Sequence, residues 1–392
     1  MTIKEVSTVC SIGAGTMGCY NALVAAVSGY EVVIYDVSEQ SLAKVPENHA
    51  EIGAHLVGVE YCTGEELAAS MARIRTTTDL ASAVADADLV TESVVEDLNI
   101  KRYVHGELDR LCPPKSILTT NTSGLLVSDI EDVVKRGDRF AALHSHLGSP
   151  LIDIVGGPRT SAQTIDVLTR YVKSLKCAPL VLHKENRGYV LNALLGSVLT
   201  TALVLVVQGV ASKREVDSAW MQHRRAPMGP FGMMDLFGLN VVYDGWQHRE
   251  PDPATDALKP GILSGLQPYI DRGELGRKAG KGFYDYPNPA FEQEDFVVDN
   301  EKVAIASASM TAALLGNSVL LAANDVADSG EIDYAWTVGM TLDTGPFAII
   351  DGLGVETTRQ LLQGPAAAYS DEDIALIMQY LAKLEDRKHD DG

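Results

Sequence analysis

The sequence has few cysteines, no surplus of basic residues and no long uninterrupted apolar run. Its 5 cysteines are scattered and form no Cys-x-x-Cys pair, which disfavours a disulfide or zinc framework and fits free thiols in a reducing cytosol. The 32 basic residues against 53 acidic ones give a formal net charge of −21, which repels polyphosphate chains and anionic membranes. We therefore expect no nucleic-acid partner, no membrane partner and no structural metal.

Signals for export or membrane insertion are also lacking. The N-terminus, MTIKEVSTVCSIG, has no cationic segment followed by a long apolar one, and polar residues interrupt the longest apolar stretch, around Leu194 to Ala211. A hydrophobic content of 46% over 392 residues is ordinary for a globular protein and allows two or three domains. The expectation is a cytoplasmic globular protein.

The first half of the chain alternates strand and helix patterns. A β-branched run from Val6 to Ile12 leads into a glycine turn, an apolar helix from Asn21 to Ser28 and a second strand from Glu31 to Tyr35. Further patterns predict strands at 88–94, 116–119 and 139–144 and a helix at 100–111. This order predicts an α/β fold with a Rossmann-type, doubly wound parallel sheet.

The strand patterns fade beyond about Lys184, and residues 189–211 have the composition of one long buried helix. A repeat follows with an offset of 116, in which Asp217, Trp220 and the motif Gly229-Pro230-Phe231 recur at Asp333, Trp336 and Gly345-Pro346-Phe347. The sequence therefore predicts an NAD-binding Rossmann domain at 1–184 and two repeated all-α C-terminal domains at 185–290 and 298–392. An acidic, proline-containing stretch around 287–301 is the predicted linker.

The glycine turn reads Gly13-Ala-Gly15-Thr16-Met17-Gly18 and stands between a strand and a helix. There the glycines let the backbone approach a pyrophosphate, and the helix N-terminus offers aligned N–H donors. Asp36 ends the following strand, where its carboxylate can accept from the ribose hydroxyls of NAD and would repel the 2′-phosphate of NADP. The predicted cofactor is NAD.

Seven motifs in this order resemble the L-3-hydroxyacyl-CoA dehydrogenases over nearly the whole chain. They are the glycine turn with Asp36, Glu92-Ser-Val-Val-Glu96-Asp-Leu-Asn-Ile-Lys101, Asn121-Thr-Ser123-Gly-Leu125, Arg139-Phe-Ala-Ala-Leu-His144, Gly188-Tyr-Val-Leu-Asn192, Met228-Gly-Pro-Phe231 with Asp235 and Gly238, and Gly276-Arg-Lys-Ala-Gly-Lys-Gly-Phe-Tyr284. The duplicated C-terminal part is similar to the longer members and to the dehydrogenase part of multifunctional β-oxidation proteins.

This resemblance implies an oxidoreductase of fatty-acid or related acyl-CoA metabolism, which exchanges a hydride between C3 of a 3-hydroxyacyl thioester and NAD. It implies His144 as the general base, since the pKa of an imidazole lies near the working pH. Ser123 would hydrogen-bond the substrate oxygen and Asn192 would position it. Glu96 and Lys101 match the family's residues beside the nicotinamide. In the longer members the second copy replaces a dimer partner, so we expect a monomer with an internal pair of C-terminal domains, or a weak homodimer.

Two departures from the family leave alternatives open. The family has a glutamate twelve residues after its histidine, where this chain has Gly156, so the partner of the histidine is expected to be missing unless the chain bends to bring in Asp153. His146, on the same strand face as His144, is a second candidate for the base.

The family's helical hairpin after the second strand is lysine-rich and holds the coenzyme A phosphates, whereas Ser38 to Met71 contains only Lys44. Lys44, Arg73, Arg75 and Lys101 would have to suffice, or the acyl carrier differs. A dehydrogenase of another 3-hydroxy compound, or an NAD-binding protein that has lost turnover, thus remain as alternatives.

Overall fold

A computed structural model describes residues 2–249, 253–363 and 369–390, and the chain divides into two compact units. Unit 1 comprises residues 1–190 with 325–327 and 338–340, and unit 2 the remainder from Leu191 onwards. Residues 1 and 392, the outer ends of the first and last predicted domains, lie outside the described residues.

Unit 1 is built on an eight-stranded sheet in the order β3-β2-β1-β4-β5-β6-β7-β8. The strands are Thr8–Ile12 (β1), Glu31–Tyr35 (β2), Ile74–Thr77 (β3), Leu89–Glu92 (β4), Ile117–Thr120 (β5), Phe140–Ser145 (β6), Leu151–Gly156 (β7) and Ala178–Leu182 (β8). The first six run parallel, β7 pairs antiparallel with β6, and β8 runs parallel to β7. The predicted doubly wound sheet is thereby confirmed, and the sequence patterns missed β3, β7 and β8.

The helices of unit 1 cover this sheet. They are Thr16–Val27 (α1), Glu39–Ala43 (α2), Val45–Gly58 (α3), Gly64–Ser70 (α4), Leu80–Val84 (α5), Leu98–Leu111 (α6), Val127–Ile130 (α7) and Ala162–Ser174 (α8). Helix α1 begins five residues before the predicted start, directly after Gly15, and its Leu23 and Ala25 are fully buried. The direct passage from β1 through the glycine turn into α1 fixes where the N-terminus of α1 lies relative to the sheet.

Unit 2 is helical. Its helices are Leu191–Val207 (α9), Lys213–Arg224 (α10), Pro230–Phe237 (α11), Leu239–Gln247 (α12), Pro253–Asp256 (α13), Lys259–Asp271 (α14), Glu301–Ala323 (α15), Ser329–Met340 (α16), Pro346–Leu353 (α17), Val355–Leu362 (α18) and Asp371–Asp390 (α19). Helix α15 is long and apolar enough to cross a membrane, but 61% of its most apolar window is buried within the chain. This burial is typical of the core helix of a packed helical unit.

The repeat in the sequence is a repeat of structure. Helices α10, α11 and α12 begin at residues 213, 230 and 239, and α16, α17 and α18 begin at 329, 346 and 355, each 116 residues later. The indole rings of Trp220 and Trp336 meet edge to face with centroids 6.1 Å apart, and the Ser197 hydroxyl donates to the carbonyl of Ala313 at 3.2 Å. Both pairs are separated by 116 positions. Because equivalent residues touch each other, the two copies are related by an approximate twofold axis.

One aspartate in each copy explains the repeated motif. The buried carboxylate of Asp217 accepts from the backbone N–H groups of Phe231 at 2.9 Å and Gly232 at 3.2 Å, at the start of α11. Asp333 does the same for Phe347 and Ala348 at the start of α17, at 2.7 and 2.9 Å. These N–H groups have no partner within their own helix, so the aspartate supplies one from a distant part of the chain. Burial raises the pKa of Asp217 to about 7 despite these hydrogen bonds.

The Gly276–Tyr286 segment has a structural role as well. The carboxylate of Asp235 accepts from the backbone N–H of Phe283 at 2.8 Å and of Tyr284 at 2.9 Å. A Cβ on Gly282 would lie 2.1 Å from Asp235 Oδ1, so only glycine allows this approach. The glycine-rich motif therefore closes onto α11.

Removing the second copy tests the pairing. A chain ending near Pro287 loses Trp336 and α15, and so exposes the apolar face around Trp220 and α9 to water. We expect the truncated chain to dimerise or aggregate, whereas the full-length chain should be monomeric. Light scattering measures both. A truncated chain that stays monomeric and soluble would contradict the pairing.

Candidate active site

The predicted site residues of unit 1 gather at the edge where the parallel strands end. The carboxyl ends of β1, β2, β4, β5 and β6 all lie at this edge, because these strands run in the same direction. Ligands of open α/β sheets bind at this edge.

The glycine turn leaves room for a phosphate group. Gly13 has φ +99°, and a Cβ there would lie 2.7 Å from the carbonyl oxygen of Ser93. A Cβ on Gly18 would lie 1.9 Å from the carbonyl oxygen of Gly13, so Gly18 lets α1 pack against the turn. Gly15, in contrast, has no atom within 4 Å of its Cβ position. This open position fits the pyrophosphate of a dinucleotide.

The beginning of α1 lies beside this open position. Gly15 and Thr16 are exposed and Met17 is half-buried, and no side chain caps the first N–H groups of the helix. These N–H groups are therefore available to an anion. The residues predicted from the sequence to hold the cofactor phosphates fit that purpose.

Asp36 is held at the end of β2 by two backbone N–H groups. Its Oδ2 accepts from Ala14 at 2.8 Å, and its Oδ1 accepts from Ser38 at 2.8 Å. Val37, next to it in the chain, is 82% exposed. A fixed carboxylate suits the ribose hydroxyls of a dinucleotide, and an exposed apolar side chain beside it suits the adenine ring.

The carboxylate of Glu92 is a buried junction at the end of β4. It accepts from Lys101 Nζ at 2.7 Å, Thr120 Oγ1 at 2.7 Å and the N–H of Val94 at 2.7 Å, and it lies 3.1 Å from His105 Nε2. Burial acts to raise the pKa of Glu92, but its partners, His105 first, outweigh burial and bring the pKa to about 2. Lys101 is only 1% exposed. The structure thus places Lys101 as the counter-ion of Glu92, with Glu96 Oε2 at 3.4 Å as its second partner.

Glu96 fixes the turn that carries Ser123. Its Oε1 accepts from the Thr122 hydroxyl and from the backbone N–H groups of Ser123 and Gly124, the latter two at 3.0 Å each. Ser123 itself is exposed. The turn is therefore rigid while the serine hydroxyl stays accessible.

His144 forms a dyad with Asp153. The two residues face each other in the antiparallel pairing of β6 and β7, and His144 Nδ1 lies 2.9 Å from Asp153 Oδ2. Burial acts to raise the pKa of Asp153, but hydrogen bonds from His144 and His146 outweigh it and hold the pKa below its usual value. Burial lowers the pKa of His144, while Asp153 opposes that shift.

The expectation that the histidine lacks a carboxylate partner is therefore wrong. Residue 153 is nine positions after His144, three fewer than the family's spacing of twelve, and β7 needs no bend at Gly156 to bring it in. The shorter connection changes which residue of β7 lies opposite the histidine. Gly156 pairs instead with Ala141. The β-branched run after Pro150 was the signal for a returning strand that sequence reasoning overlooked.

His146 shares the same carboxylate oxygen. Its Nε2 lies 2.8 Å from Asp153 Oδ2, and the rings of His144 and His146 meet edge to face at 4.4 Å. Both histidines therefore reach one carboxylate, although the predicted shared strand does not extend to His146, because β6 ends at Ser145.

Tyr189 is a site residue that sequence reasoning missed. Its ring centroid lies 5.1 Å from that of His144, and its hydroxyl donates to the carbonyl of Thr122 at 2.9 Å. Arg187 Nη1 donates to the carbonyl of Gly124 at 3.0 Å. Both residues attach the 187–189 segment to the turn of Ser123.

Asn192 lies in the first turn of α9 and is half-buried. It belongs to unit 2, whereas His144 and Ser123 belong to unit 1. The structure therefore groups His144 with the turn of Ser123, and the role of Asn192 stays a prediction.

Of the four cations considered for a coenzyme A phosphate, only Lys44 has an exposed side chain without a hydrogen bond or ion pair to the described part of the chain. Lys101 is paired with Glu92, as described above. Arg73 Nη1 lies 3.4 Å from the carbonyl of Ala26, and Arg75 Nη2 lies 3.5 Å from that of Ser82.

Comparison with known proteins places this geometry in a family. Residues 8–186 match the family described as 3-hydroxyacyl-CoA dehydrogenase, NAD binding domain, and residues 188–286 match its C-terminal domain. The mitochondrial hydroxyacyl-coenzyme A dehydrogenase of Rattus norvegicus is 34% identical over 72% of this chain and 91% of its own length.

Two solved structures are similar to this chain. A diketoreductase described for catalysis on dicarbonyl compounds is 32% identical, covers 72% of this chain and all of its own, and has a TM-score of 0.67. A 3-hydroxybutyryl-CoA dehydrogenase of Escherichia coli is 23% identical and has a TM-score of 0.77. The match covers 96% of this chain and 98% of the other, so the shared fold includes the second helical copy. On the matched domains and these relatives, the chain belongs to the 3-hydroxyacyl-CoA dehydrogenase family.

Proposed function

We propose that this protein oxidises an L-3-hydroxyacyl-CoA to the 3-oxoacyl-CoA with NAD, and catalyses the reverse reduction. The observation that carries the proposal is the presence of the glycine turn with Asp36 and the His144–Asp153 dyad at one edge of the sheet. NAD, when bound, supplies the acceptor for the hydride from C3 of the substrate.

His144 is the general base of this reaction. Its Nδ1 faces an ionised carboxylate and so carries a proton, which leaves the lone pair of the neutral ring on Nε2. Nε2 can therefore take the proton of the substrate hydroxyl as the hydride leaves. The charge of Asp153 then stabilises the imidazolium. In the reverse direction the imidazolium returns its proton to the oxygen.

The remaining predicted site residues position the reactants. Ser123, on the turn fixed by Glu96, hydrogen-bonds the substrate oxygen, and Asn192 orients the substrate. Glu96 and Lys101 act through the turn and the end of β4 on the nicotinamide side. The burial of Lys101 and its contact with Glu96 support positioning rather than direct contact with the cofactor.

A second candidate is a dehydrogenase of another 3-hydroxy compound, such as a carrier-protein thioester or a free hydroxy acid. The specific observation in its favour is the scarcity of available cations, because three of the four considered have contacts within the fold. The third reading, an NAD-binding protein without turnover, loses its basis because Asp153 takes the place of the missing glutamate.

Assembly and location also belong to the proposal. The repeat and its self-contacts support a division of the helical part into two paired copies at 185–290 and 298–392, and a monomer that needs no partner at this face. A role in fatty-acid β-oxidation follows from the proposed reaction. The cytoplasmic location rests on the free thiols of all 5 cysteines, while the relative from Rattus norvegicus is named as a mitochondrial enzyme.

The cofactor preference tests the role of Asp36. We expect tighter binding of NADH than of NADPH in fluorescence titrations, because the carboxylate repels a 2′-phosphate. Asp36→Ala should lose this preference. Glu39→Ala removes the same charge from an exposed position nearby and should keep it. A parent protein that prefers NADPH would refute the assignment.

The general base is tested by His144→Ala. We expect kcat to fall by at least about 100-fold, the lower end of what a general base contributes, with NADH binding retained. Asp153→Asn should also lower kcat, since the amide offers no charge to stabilise the imidazolium. His55→Ala changes an exposed histidine of the same unit and serves as the control. An active His144→Ala beside an inactive His146→Ala would assign the base to His146 instead.

The acyl carrier is tested by comparing acetoacetyl-CoA with acetoacetyl-N-acetylcysteamine, which has the thioester but no nucleotide. In assays of NADH oxidation we expect a higher kcat/KM for the CoA ester. Lys44→Ala should reduce that advantage by raising KM for the CoA ester alone. Equal kcat/KM values for both thioesters would favour the second candidate. If the protein binds NADH but turns over neither thioester, the result would favour an NAD-binding protein without turnover.

A further inference from the structure

Three metal-binding side chains converge at the junction of β6 and β7. His144 Nδ1 and His146 Nε2 lie 2.9 and 2.8 Å from Asp153 Oδ2, and all three ligand atoms lie within 4.8 Å of one another. His144 on β6 lies opposite Asp153 on β7, and His146 lies one residue beyond the end of β6. The donors are thus brought together by the sheet before any ligand arrives.

The charge of this cluster is not balanced by a fixed cation. Asp153 is fully buried, and within the described residues its ion-pair partners are the two histidines. Neutral imidazoles offer N–H groups but no charge, so a buried carboxylate beside them carries a desolvation cost that a divalent cation would offset. Asp153 Oδ1 is also buried, and it has no hydrogen-bond partner among the residues that the structure describes. An acceptor oxygen without a partner is a second, separate indication of a ligand at this position.

The donor set selects a class of metal. Two imidazole nitrogens and one carboxylate oxygen suit zinc, cobalt and nickel, whereas calcium and magnesium take mostly oxygen ligands. Three protein ligands leave a coordination position for water.

We propose that His144, His146 and Asp153 form a binding site for a divalent metal ion of the zinc class, and that the metal ion and general-base catalysis exclude each other. His146 has no role in the proposed reaction, and this site gives it one.

The exclusion follows from the tautomers of His144. Without metal, Nδ1 carries the proton and Nε2 carries the lone pair. A metal ion on Nδ1 takes the lone pair of that nitrogen, so the proton of the neutral ring moves to Nε2. His146 changes likewise, with Nε2 as ligand and the proton on Nδ1. No proton need be lost, yet His144 Nε2 can no longer accept the substrate proton. This consequence rests on the proposed function of His144, whereas metal binding itself does not.

The test is a titration of the chelator-treated, full-length protein with Co²⁺, without substrate or NAD, followed by visible absorption. We expect one Co²⁺ per chain with a visible ligand-field band, and displacement by Zn²⁺. The band should disappear in His146→Phe and in Asp153→Asn. His55→Gln, which alters an exposed histidine of the same unit, should keep the band. NADH binding by each variant shows that unit 1 is folded.

The outcomes separate the site from its consequence. A parent protein without a stoichiometric band, or a band that survives in folded His146→Phe, overturns the metal site. Loss of turnover on adding Zn²⁺, reversed by chelator, supports the exclusion. Stoichiometric Co²⁺ binding without loss of turnover overturns the exclusion and the assignment of His144 as base, while it upholds the metal site.

Discussion

The antiparallel pairing of β6 with β7 is the constraint on which the candidate active site depends. The six parallel strands before it gather their ends at one edge, and the reversal at β7 brings a strand back across that edge. Residues facing each other in adjacent strands have Cβ atoms about 5 Å apart, close enough for side chains to bond directly. The reversal therefore delivers a carboxylate to His144 that no parallel strand could supply from so near in sequence.

Carboxylates that accept from backbone N–H groups hold the loops of both units. Glu96 fixes the turn of Ser123, Asp217 and Asp333 complete the first turns of helices, and Asp235 closes the glycine-rich segment. In each case a side-chain oxygen accepts from backbone N–H groups that would otherwise lack a partner. A charge-assisted hydrogen bond of this kind contributes about 1.5–3 kcal/mol. Part of the large acidic surplus is thus structural, and the net charge of −21 overstates the negative charge that faces a ligand.

The helical unit pairs two copies of one helical motif within a single chain. Two copies related by an approximate twofold axis bury Trp220 against Trp336, as two identical chains would in an isologous interface. The two copies have not stayed identical. Asp235 in the first copy receives the Gly276–Tyr286 segment, while its equivalent, Asp351, is exposed.

Much of this protein can be predicted from its sequence, because the signals are local or repeated. The passage from β1 through Gly13, Gly15 and Gly18 into α1 identifies a dinucleotide-binding turn, since a Cβ on Gly13 or Gly18 would clash with the backbone and Gly15 leaves its surroundings open. An offset of 116 identifies the two helical copies without any coordinates.

The partner of His144 could not be predicted in this way. Counting twelve positions along the chain led to Gly156, whereas the number of residues in the turn after His146 sets the register of β7 and places Asp153 opposite His144. Likewise, Lys101 has the sequence context of a cofactor contact, but its ammonium is buried against Glu92. The sequence by itself determined which residue types occur in which local elements. Only the tertiary structure decided which of them meet, because contacts across strands depend on register and on burial, and neither is encoded at a fixed spacing.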